Sequence, residues 1–229
     1  MIKVNNITKK FGSQMAVDDV SFQLSSGEIV AFLGVNGAGK STTIKIMTGV
    51  LGADSGQVSV FGHDIVADAI EAKKHIGYLP EDNPLYGDMY VKEYLGYVAS
   101  IYNLNDRKNA VESVIERVGL RKEYKKKIQS LSKGNRQRVG LGQALIHNPG
   151  FLILDEPTSG LDPHQQNEIH EILSELGKTR IILFSSHNLH QTISVCNRYI
   201  IINNGKIVFD EKAKNVDSIE DIFNKVTNS

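Results

Sequence analysis

Apolar and polar residues alternate in the first part of the chain, and this alternation predicts β-strands. Apolar side chains occupy every second position in residues 2–4 and 20–24, which is typical of strands with one buried face. The run Ile29–Leu33 is apolar throughout and predicts a strand buried on both faces. Shorter strands are predicted at 58–61 and at Ile76–Leu79.

Helical periodicity replaces this alternation between residues 90 and 147. Apolar residues there recur at intervals of three and four, as they do in an α-helix with one buried face. After this segment strands are predicted again, at Phe151–Leu154 and 181–184. They alternate with helices that begin at Pro163, a residue suited to a first helical turn, and at Asn188.

A hairpin and a short helix are predicted at the end of the chain. Asn203-Asn204-Gly205 joins two apolar runs and is a strong hairpin signal. An amphipathic helix is predicted at about 217–226. The whole pattern predicts a single α/β domain over 1–229, with a core made of 1–84 and 149–229 and a helical subdomain at 85–148.

Two surface features each leave two interpretations open. Tyr90, Tyr94 and Tyr97 share one predicted helical face, which favours core packing over a groove for another protein. The basic run at 121–127 favours a solvated loop over a contact with anionic lipid headgroups.

A glycine-rich loop directly follows the strand Ile29–Leu33. Its sequence, GVNGAGKST at 34–42, matches the phosphate-binding pattern G-x-x-x-x-G-K-[ST]. Backbone N–H groups in such a loop and at the start of the next helix surround an anion, and glycines let the backbone approach it. Lys40 supplies a charge for the β- and γ-phosphates and Ser41 a hydroxyl for Mg²⁺. The predicted contacts are Gly34, Asn36, Gly37, Ala38, Gly39, Lys40, Ser41 and Thr42.

Two carboxylates follow the buried strand Phe151–Leu154. Asp155 and Glu156 come where the strands of a parallel sheet meet a ligand. Asp155 is suited to hold Mg²⁺ directly or through water, and Glu156 to polarise a water for attack on the γ-phosphate.

Composition narrows the class of partner. Lysine plus arginine equals aspartate plus glutamate at 26 each, which argues against nucleic acid. The single cysteine, Cys196, excludes an internal disulfide and fits a reducing cytosol. The apolar runs span four or five residues, well short of the roughly 20 that cross a bilayer, and the N-terminus lacks the apolar core of a signal peptide. We therefore expect a soluble chain.

Further motifs extend the pattern over nearly the whole chain. Residues 131–138, LSKGNRQR, open a predicted helix and resemble the signature of ATP-binding-cassette (ABC) ATPases, whose usual form is Leu-Ser-Gly-Gly-Gln. With the phosphate loop and the two carboxylates, in the family's order and spacing, they make the chain similar to these ATPases. The other matching positions are Phe11 for the adenine-stacking ring, Glu81 for the Q-loop, Ser132, Lys133, Gly134 and Asn135 for the signature, Asp162 for the D-loop and His187 for the switch histidine.

The resemblance implies a P-loop NTPase fold, with a RecA-like core, an antiparallel β subdomain and an inserted α-helical signature subdomain. It implies ATP hydrolysis with Mg²⁺ held by Ser41, Asp155 and Glu81. Glu156, His187 and Lys40 are the implied catalytic residues. From the residues alone, Phe11 is either the adenine-stacking ring or a core side chain.

The resemblance also implies partners. Two chains, in a homodimer or with a closely related second ATPase subunit, pair head to tail so that each ATP lies between one phosphate loop and the other chain's signature. A membrane permease docks near residues 81–90, and the candidate surface comprises Pro84, Leu85, Tyr86, Met89 and Tyr90. The implied location is cytoplasmic, peripheral on the inner face of the membrane.

Three positions depart from the family pattern. Lys133 replaces a glycine and either contributes to phosphate binding or points to solvent. Asn135 replaces glutamine, which shortens the reach of one amide. Glu81 replaces the Q-loop glutamine, and an ionised carboxylate cannot donate a hydrogen bond.

Two functions are compatible with these motifs. The first is the ATPase subunit of an ABC-2-type exporter, similar to gliding-motility-associated subunits on the residues around 76–95. The alternative is a soluble ABC ATPase that acts mechanically on a partner outside the membrane. Lys40 and Ser132 are about 90 residues apart, which leaves no room for the coiled coil or zinc modules of DNA-repair relatives. The spacing therefore favours the transporter.

Overall fold

A small antiparallel sheet is built from the first residues of the chain. The computed structural model describes residues 1–186, 189 and 193–227. Strands β1 (Ile2–Phe11) and β2 (Gln14–Leu24) pair antiparallel, with Val4 opposite Phe22. Strand β4 (Ser55–Val60) pairs with the other edge of β1, and the two-residue β5 (His63–Asp64) completes the sheet in the order β2-β1-β4-β5. The strands predicted from the alternation at 2–4 and 20–24 are confirmed.

A second, mainly parallel sheet forms the centre of the molecule, in the order β10-β9-β3-β8-β7-β6. Its central strand is β3, and β8 and β9 lie parallel on either side of it. Among the described strands of this sheet, only β10, joined to β9 by the predicted hairpin turn, runs antiparallel. The strands are β3 (Ile29–Leu33), β6 (Ile76–Leu79), β7 (Phe151–Leu154), β8 (Ile181–Ser186), β9 (Arg198–Asn203) and β10 (Lys206–Lys212).

Helices cover the central sheet and fill the interval between β6 and β7. The helices are α1 (Lys40–Met47), α2 (Ala69–Lys74), α3 (Val91–Ile101), α4 (Arg107–Arg117), α5 (Lys133–Leu145), α6 (Pro163–Gly177) and α7 (Ile219–Thr227), with single 3₁₀ turns at Ile128–Ser130 and Ala213–Asn215. The predicted helices at 163 and 217 are confirmed. The helix expected from Asn188 falls largely outside the described residues.

The two faces of β3 explain its unbroken apolar sequence. Val30 and Phe32 pack with the small antiparallel sheet and α1. Ile29, Ala31 and Leu33 pack with the helices on the opposite face. Because successive strand residues point to opposite faces, a strand between two layers needs apolar residues at every position. The central sheet is therefore the middle of three layers, which confirms the predicted α/β class.

The helices are too short and too polar for a membrane. Within the described parts of the chain, no helix combines the length and apolarity that a bilayer crossing requires.

Candidate functional site

The phosphate-binding loop leaves the carboxyl end of β3 and leads into α1. Gly39 precedes α1 with φ 111° and Gly37 has φ 80°, both in the region that favours glycine. A Cβ at Gly34 or Gly39 would lie 2.5 Å from the carbonyl oxygen of Ile202 or Ala16, respectively. These two glycines are thus required by close packing of the loop on β9 and β2. Close approach of a phosphate is a separate reason for glycine in this loop. That reason applies best to Gly37, where an added Cβ would face open space.

Lys40 is buried inside this loop. Its Nζ donates hydrogen bonds to the carbonyl oxygens of Gly34, at 2.7 Å, and Val35, at 3.2 Å. Burial lowers the pKa of Lys40, and the negative charges of Glu156, Asp155 and Glu81 oppose that shift. The ammonium group is therefore within electrostatic reach of the three acidic residues that the sequence analysis named.

A chain of hydrogen bonds joins the loop to the ends of two parallel strands. Ser41 donates to Asp155 Oδ1 at 3.3 Å, and Ser185 at the end of β8 donates to the same oxygen at 2.6 Å. Ser185 Oγ also accepts from the backbone N–H of Glu156 at 2.8 Å. Sequence reasoning missed Ser185. The available signal was a pair of serines that prolongs an apolar strand towards the edge where ligands bind.

A pocket of about 520 Å³ opens beside these groups. Phe11 stands at its wall with 51% of its surface exposed, so the structure excludes the core position that was the alternative for this ring. The pocket is lined by Phe11, Gln14, Ala16, Asn36, Gly37, Gly39, Lys40, Ser41, Thr42, Glu81 and Glu156. It thus brings together most of the predicted phosphate-loop residues, the ring, and two of the three carboxylates.

The signature and the D-loop do not line this pocket. Ser132 caps α5 by accepting the backbone N–H of Asn135 at 3.3 Å, and Asp162 caps α6 by accepting that of Gln165 at 2.9 Å. The two helix starts are adjacent, because a Cβ at Gly134 would lie 2.8 Å from the side chain of Gln165. Ser132 and Asp162 of this chain therefore lie outside the pocket beside its own phosphate loop.

Lys133 lies against the D-loop of its own chain. A Cβ at Gly160, whose φ is +67°, would collide with Lys133 Nζ. Lys133 is itself exposed, with its ammonium group beside the D-loop backbone, and its contribution to phosphate binding stays a prediction. Farther along the same helices, Arg138 forms an ion pair with Glu168 of α6.

Asn83 connects the segment after β6 with the signature helix. Its Nδ2 donates to the carbonyl oxygen of Arg136 at 2.9 Å, and its φ is +43°. A Cβ at Gly140 would collide with the Asn83 side chain, so a glycine is required beneath it. Asn83, two residues after Glu81, therefore links this segment directly to α5. The sequence contained no signal for this contact beyond the tolerance of asparagine for positive φ.

A tyrosine-lined groove of about 470 Å³ lies between α3 and the central sheet. Tyr86 and Tyr97 are exposed, and the Tyr86 ring is 5.8 Å from the ring of Tyr94, which is buried. Of the predicted tyrosine face, Tyr94 is thus buried in the core, whereas Tyr97 is exposed in the groove. Of the candidate docking residues, Pro84 and Tyr86 line the groove, Leu85 and Met89 pack on the core, and Tyr90 is exposed at the start of α3.

The remaining predicted features are His187 and the basic run at 121–127. His187 lies outside the described residues, and its role stays a prediction. The basic run at 121–127 forms a largely exposed loop whose backbone is hydrogen-bonded to the first residues of α3, for instance from Lys92 N–H to the carbonyl oxygen of Tyr124 at 3.1 Å.

Comparison with known proteins identifies the family. The model of the family described as "ABC transporter" matches residues 17–159. The chain belongs to the ABC transporter family. This ABC ATPase is 37% identical over 211 residues to the linearmycin resistance ATP-binding protein LnrL of Bacillus subtilis, covering 91% of this chain and 68% of LnrL. It is 39% identical over 210 residues to the bacitracin transport ATP-binding protein BcrA of Bacillus licheniformis, again covering 91% and 68%. It is therefore an ABC-type ATP-binding subunit, and the predicted family is confirmed.

Solved structures agree on the fold of this ABC ATPase. The ATP-binding subunit of an ABC transporter superposes with a TM-score of 0.85 at 28% identity, covering 99% of this chain and 93% of that one. The cassette MJ0796, solved as a dimer in a post-hydrolysis state bound to ADP and Pi, superposes with a TM-score of 0.84 at 24% identity, covering 93% and 99%. At that identity the second comparison shows the fold alone. The predicted P-loop NTPase architecture is confirmed.

Proposed function

We propose that this chain is the ATPase subunit of an ABC-2-type exporter, in which paired subunits close on ATP and drive a separate membrane permease. The observation that carries the proposal is the separation of the two half-sites. The phosphate loop and carboxylates line one pocket, whereas Ser132 and Asp162 lie outside it and cap helices elsewhere on the surface. A site divided in this way is completed by a second chain in a closed twofold pair.

The residues of the first half-site suit a triphosphate and Mg²⁺. Magnesium takes oxygen ligands, usually one or two carboxylates together with substrate phosphates. The Ser41 hydroxyl and the Asp155 carboxylate meet at 3.3 Å, Glu81 lines the same pocket, and these three would hold the ion. In the described part of the chain no group of three or more His, Cys, Asp or Glu residues is arranged to bind a metal by itself. An ion held jointly by these residues and the nucleotide would neutralise charge on the phosphates.

The remaining roles follow from position. Lys40 is held in the loop by two carbonyl oxygens and neutralises charge on the β- and γ-phosphates. The phosphate oxygens take the place of water that the buried ammonium group no longer contacts. The backbone N–H groups from Gly34, Asn36, Gly37, Ala38, Gly39 and Thr42 surround the phosphates. Glu156 orients the attacking water, and Phe11 stacks on adenine. His187 is proposed to contact the γ-phosphate, on the resemblance alone.

The second half-site would come from the partner chain. The backbone at Gly134 and the hydroxyl of Ser132 open α5, so they present N–H and O–H donors to an anion at a positive helix end. Lys133 and Asn135 flank those donors, and Asp162 orders the adjacent helix start. ATP then favours the closed pair, and hydrolysis removes this preference, because only differential affinity for the two states does work.

The tyrosine-lined groove is the proposed permease site. Exposed apolar surface rimmed by polar groups is typical of protein–protein contacts, and Tyr86, Tyr97 and Ile101 provide it here. The groove borders α3, which we propose belongs to a helical subdomain of residues 85–148 inserted into the core of 1–84 and 149–229. Asn83 would transmit movement of the permease to the signature helix. On this proposal the chain works at the cytoplasmic face of a membrane, and no nucleic-acid partner is expected.

Export is supported by what the relatives are called. LnrL is a linearmycin resistance protein and BcrA a bacitracin transport protein, and we extend transport, although not their cargo, to this chain. The soluble alternative is disfavoured because both names describe resistance or transport. The association with gliding motility stays a prediction.

A dimerisation experiment tests the divided site. The Glu156→Gln chain should bind ATP without hydrolysing it and run as a dimer in light scattering with ATP, but as a monomer with ADP. A Glu156→Gln chain that stays monomeric with ATP would contradict the proposed pairing.

A mixing experiment tests which residues come from which chain. Lys40→Ala and Ser132→Arg chains should each be inactive alone. An equimolar mixture should recover about a quarter of the wild-type rate, because half of the pairs then contain one intact site of two. No recovery in a mixture that demonstrably forms mixed dimers would refute the composite site.

A further inference from the structure

Ser185 contacts both acidic residues that follow β7, Asp155 and Glu156. It is fully buried near the end of β8, and both of its hydrogen bonds run to the neighbouring strand end after β7. Its hydroxyl is 2.6 Å from Asp155 Oδ1 and 2.8 Å from the backbone nitrogen of Glu156. One side chain thereby contacts both the proposed metal ligand and the backbone of the proposed base.

The direction of these hydrogen bonds is determined by chemistry. A hydroxyl has one proton to donate and lone pairs that accept. The backbone N–H of Glu156 can only donate, so it uses a lone pair of Ser185 Oγ. The Ser185 proton is therefore directed to the Asp155 carboxylate, which has no proton to offer when ionised. The orientation of the carboxylate and the position of the next residue are thus coupled through one oxygen atom.

The backbone of Glu156 is in an unusual conformation that needs support. Its φ is +51°, which is uncommon for a residue with a Cβ. Such a conformation is retained only where surrounding contacts hold it. The N–H of Glu156 is held by Ser185, so the direction in which the Glu156 side chain leaves the backbone depends on this serine.

We infer that Ser185 is a positioning residue that aligns Asp155 for Mg²⁺ and Glu156 for water activation at the same time. This inference rests on the proposed ATPase site and adds a residue to it. Ser185 is not one of the residues that line the pocket, so it acts through the two acidic residues. Partners that orient a metal ligand typically account for 10- to 100-fold in metal affinity or activity.

The test compares Ser185→Ala with Ser185→Thr, which retains the hydroxyl. For each protein, calorimetry gives the Kd of a non-hydrolysable ATP analogue in EDTA and in Mg²⁺, and a phosphate-release assay gives kcat and KM. We expect Ser185→Ala to bind the analogue normally in EDTA but to lose about 10-fold of its tightening by Mg²⁺, with kcat lowered about 10-fold and KM little changed. Ser185→Thr should recover most of both losses.

A matched control separates positioning from general damage. Ser100→Ala removes a hydroxyl that also donates a 2.6 Å hydrogen bond, to the carbonyl oxygen of Tyr97 on α3, and it should leave every readout unchanged. The inference is overturned if Ser185→Ala keeps the Mg²⁺ effect and kcat within twofold of wild type. It is equally overturned if Ser185→Ala loses analogue binding already in EDTA, since that outcome indicates a structural defect.

The wild-type chain distinguishes this inference from the proposed function. A wild-type chain that binds no nucleotide would refute both. If wild type binds the analogue and Mg²⁺ strengthens that binding, the Ser185 variants decide the inference by the binding ratio alone, whatever the hydrolysis rate.

Discussion

The exposed ring of Phe11 offers a direct test of how the pocket recognises its ligand. The ring ends β1 at the pocket wall, half of its surface is exposed, and Lys9 Nζ lies 5.9 Å from its centroid. Stacking of a base on an aromatic side chain contributes about 1–3 kcal/mol. Phe11→Ala should therefore raise the Kd for ATP about 5- to 150-fold. Because the ring is not part of the core, the free energy of unfolding should fall by less than about 1 kcal/mol.

Isothermal titration with three ligands shows which part of the nucleotide the ring contacts. ATP and ADP both carry adenine, whereas inorganic tripolyphosphate carries only the phosphates. Phe11→Ala should weaken ATP and ADP by the same factor and leave tripolyphosphate unchanged. Phe11→Tyr retains an aromatic face and should bind all three ligands as wild type does. Lys40→Ala, which removes the charge inside the loop, should weaken all three.

Two results would refute the stacking argument. An unchanged Kd for ATP in Phe11→Ala would mean that the base is bound elsewhere. An equal loss for tripolyphosphate and ATP would mean that the substitution disturbs the phosphate loop, and that the ring itself makes no contact with the base.

Two further predictions concern stability. Gly39→Ala places a Cβ 2.5 Å from the carbonyl oxygen of Ala16 at a φ of 111°, so urea unfolding should show a loss of stability clearly above the roughly 1 kcal/mol that a strained φ alone costs. Gly12→Ala, with φ +58° and open space around the new Cβ, should lose only that smaller amount. Equal losses of stability in the two variants would contradict the packing argument. Burial lowers the pKa of His147 to about 4. Between pH 6.5 and 4 the unfolded chain therefore binds a proton at this histidine and the folded chain does not. The free energy of unfolding should accordingly decrease as the pH is lowered through this range, by about 3 kcal/mol in total. Denaturation at pH 7 and 4.5 should show a smaller loss in His147→Gln, whereas the exposed His164→Gln should behave as wild type; an unchanged slope in His147→Gln would show that this ring does not carry the effect.

Local sequence determined much of the fold because the relevant interactions are short-range. Alternating apolar residues specified β1 and β2, and the turn Asn203-Asn204-Gly205 specified the hairpin of β9 and β10. The unbroken apolar runs of β3 and β7 indicated strands between two layers. The order of β-strands in the central sheet was not readable in this way, because it depends on contacts between residues more than 100 positions apart.

The same distinction holds for the site. The phosphate-loop motif and the Asp155–Glu156 pair were evident from the sequence, since each is a contiguous run that presents its groups from one strand end. Phe11 had two interpretations, and only the packing of β1 showed that its ring is exposed at the pocket. Asn83 had no recognisable signal, because its role depends on a glycine of α5 that comes close only in the folded chain.

The sequence by itself thus determined the ligand class and the family, because phosphate binding needs particular residue types at fixed short spacing. Only the tertiary structure decided how the two halves of the chemistry relate. It separated Ser132 from the pocket that holds Lys40, and it brought Ser185 of β8 against Asp155 and Glu156, which follow the neighbouring strand β7. Both arrangements depend on which strands and helices become neighbours, and that is set by burial of the whole apolar surface.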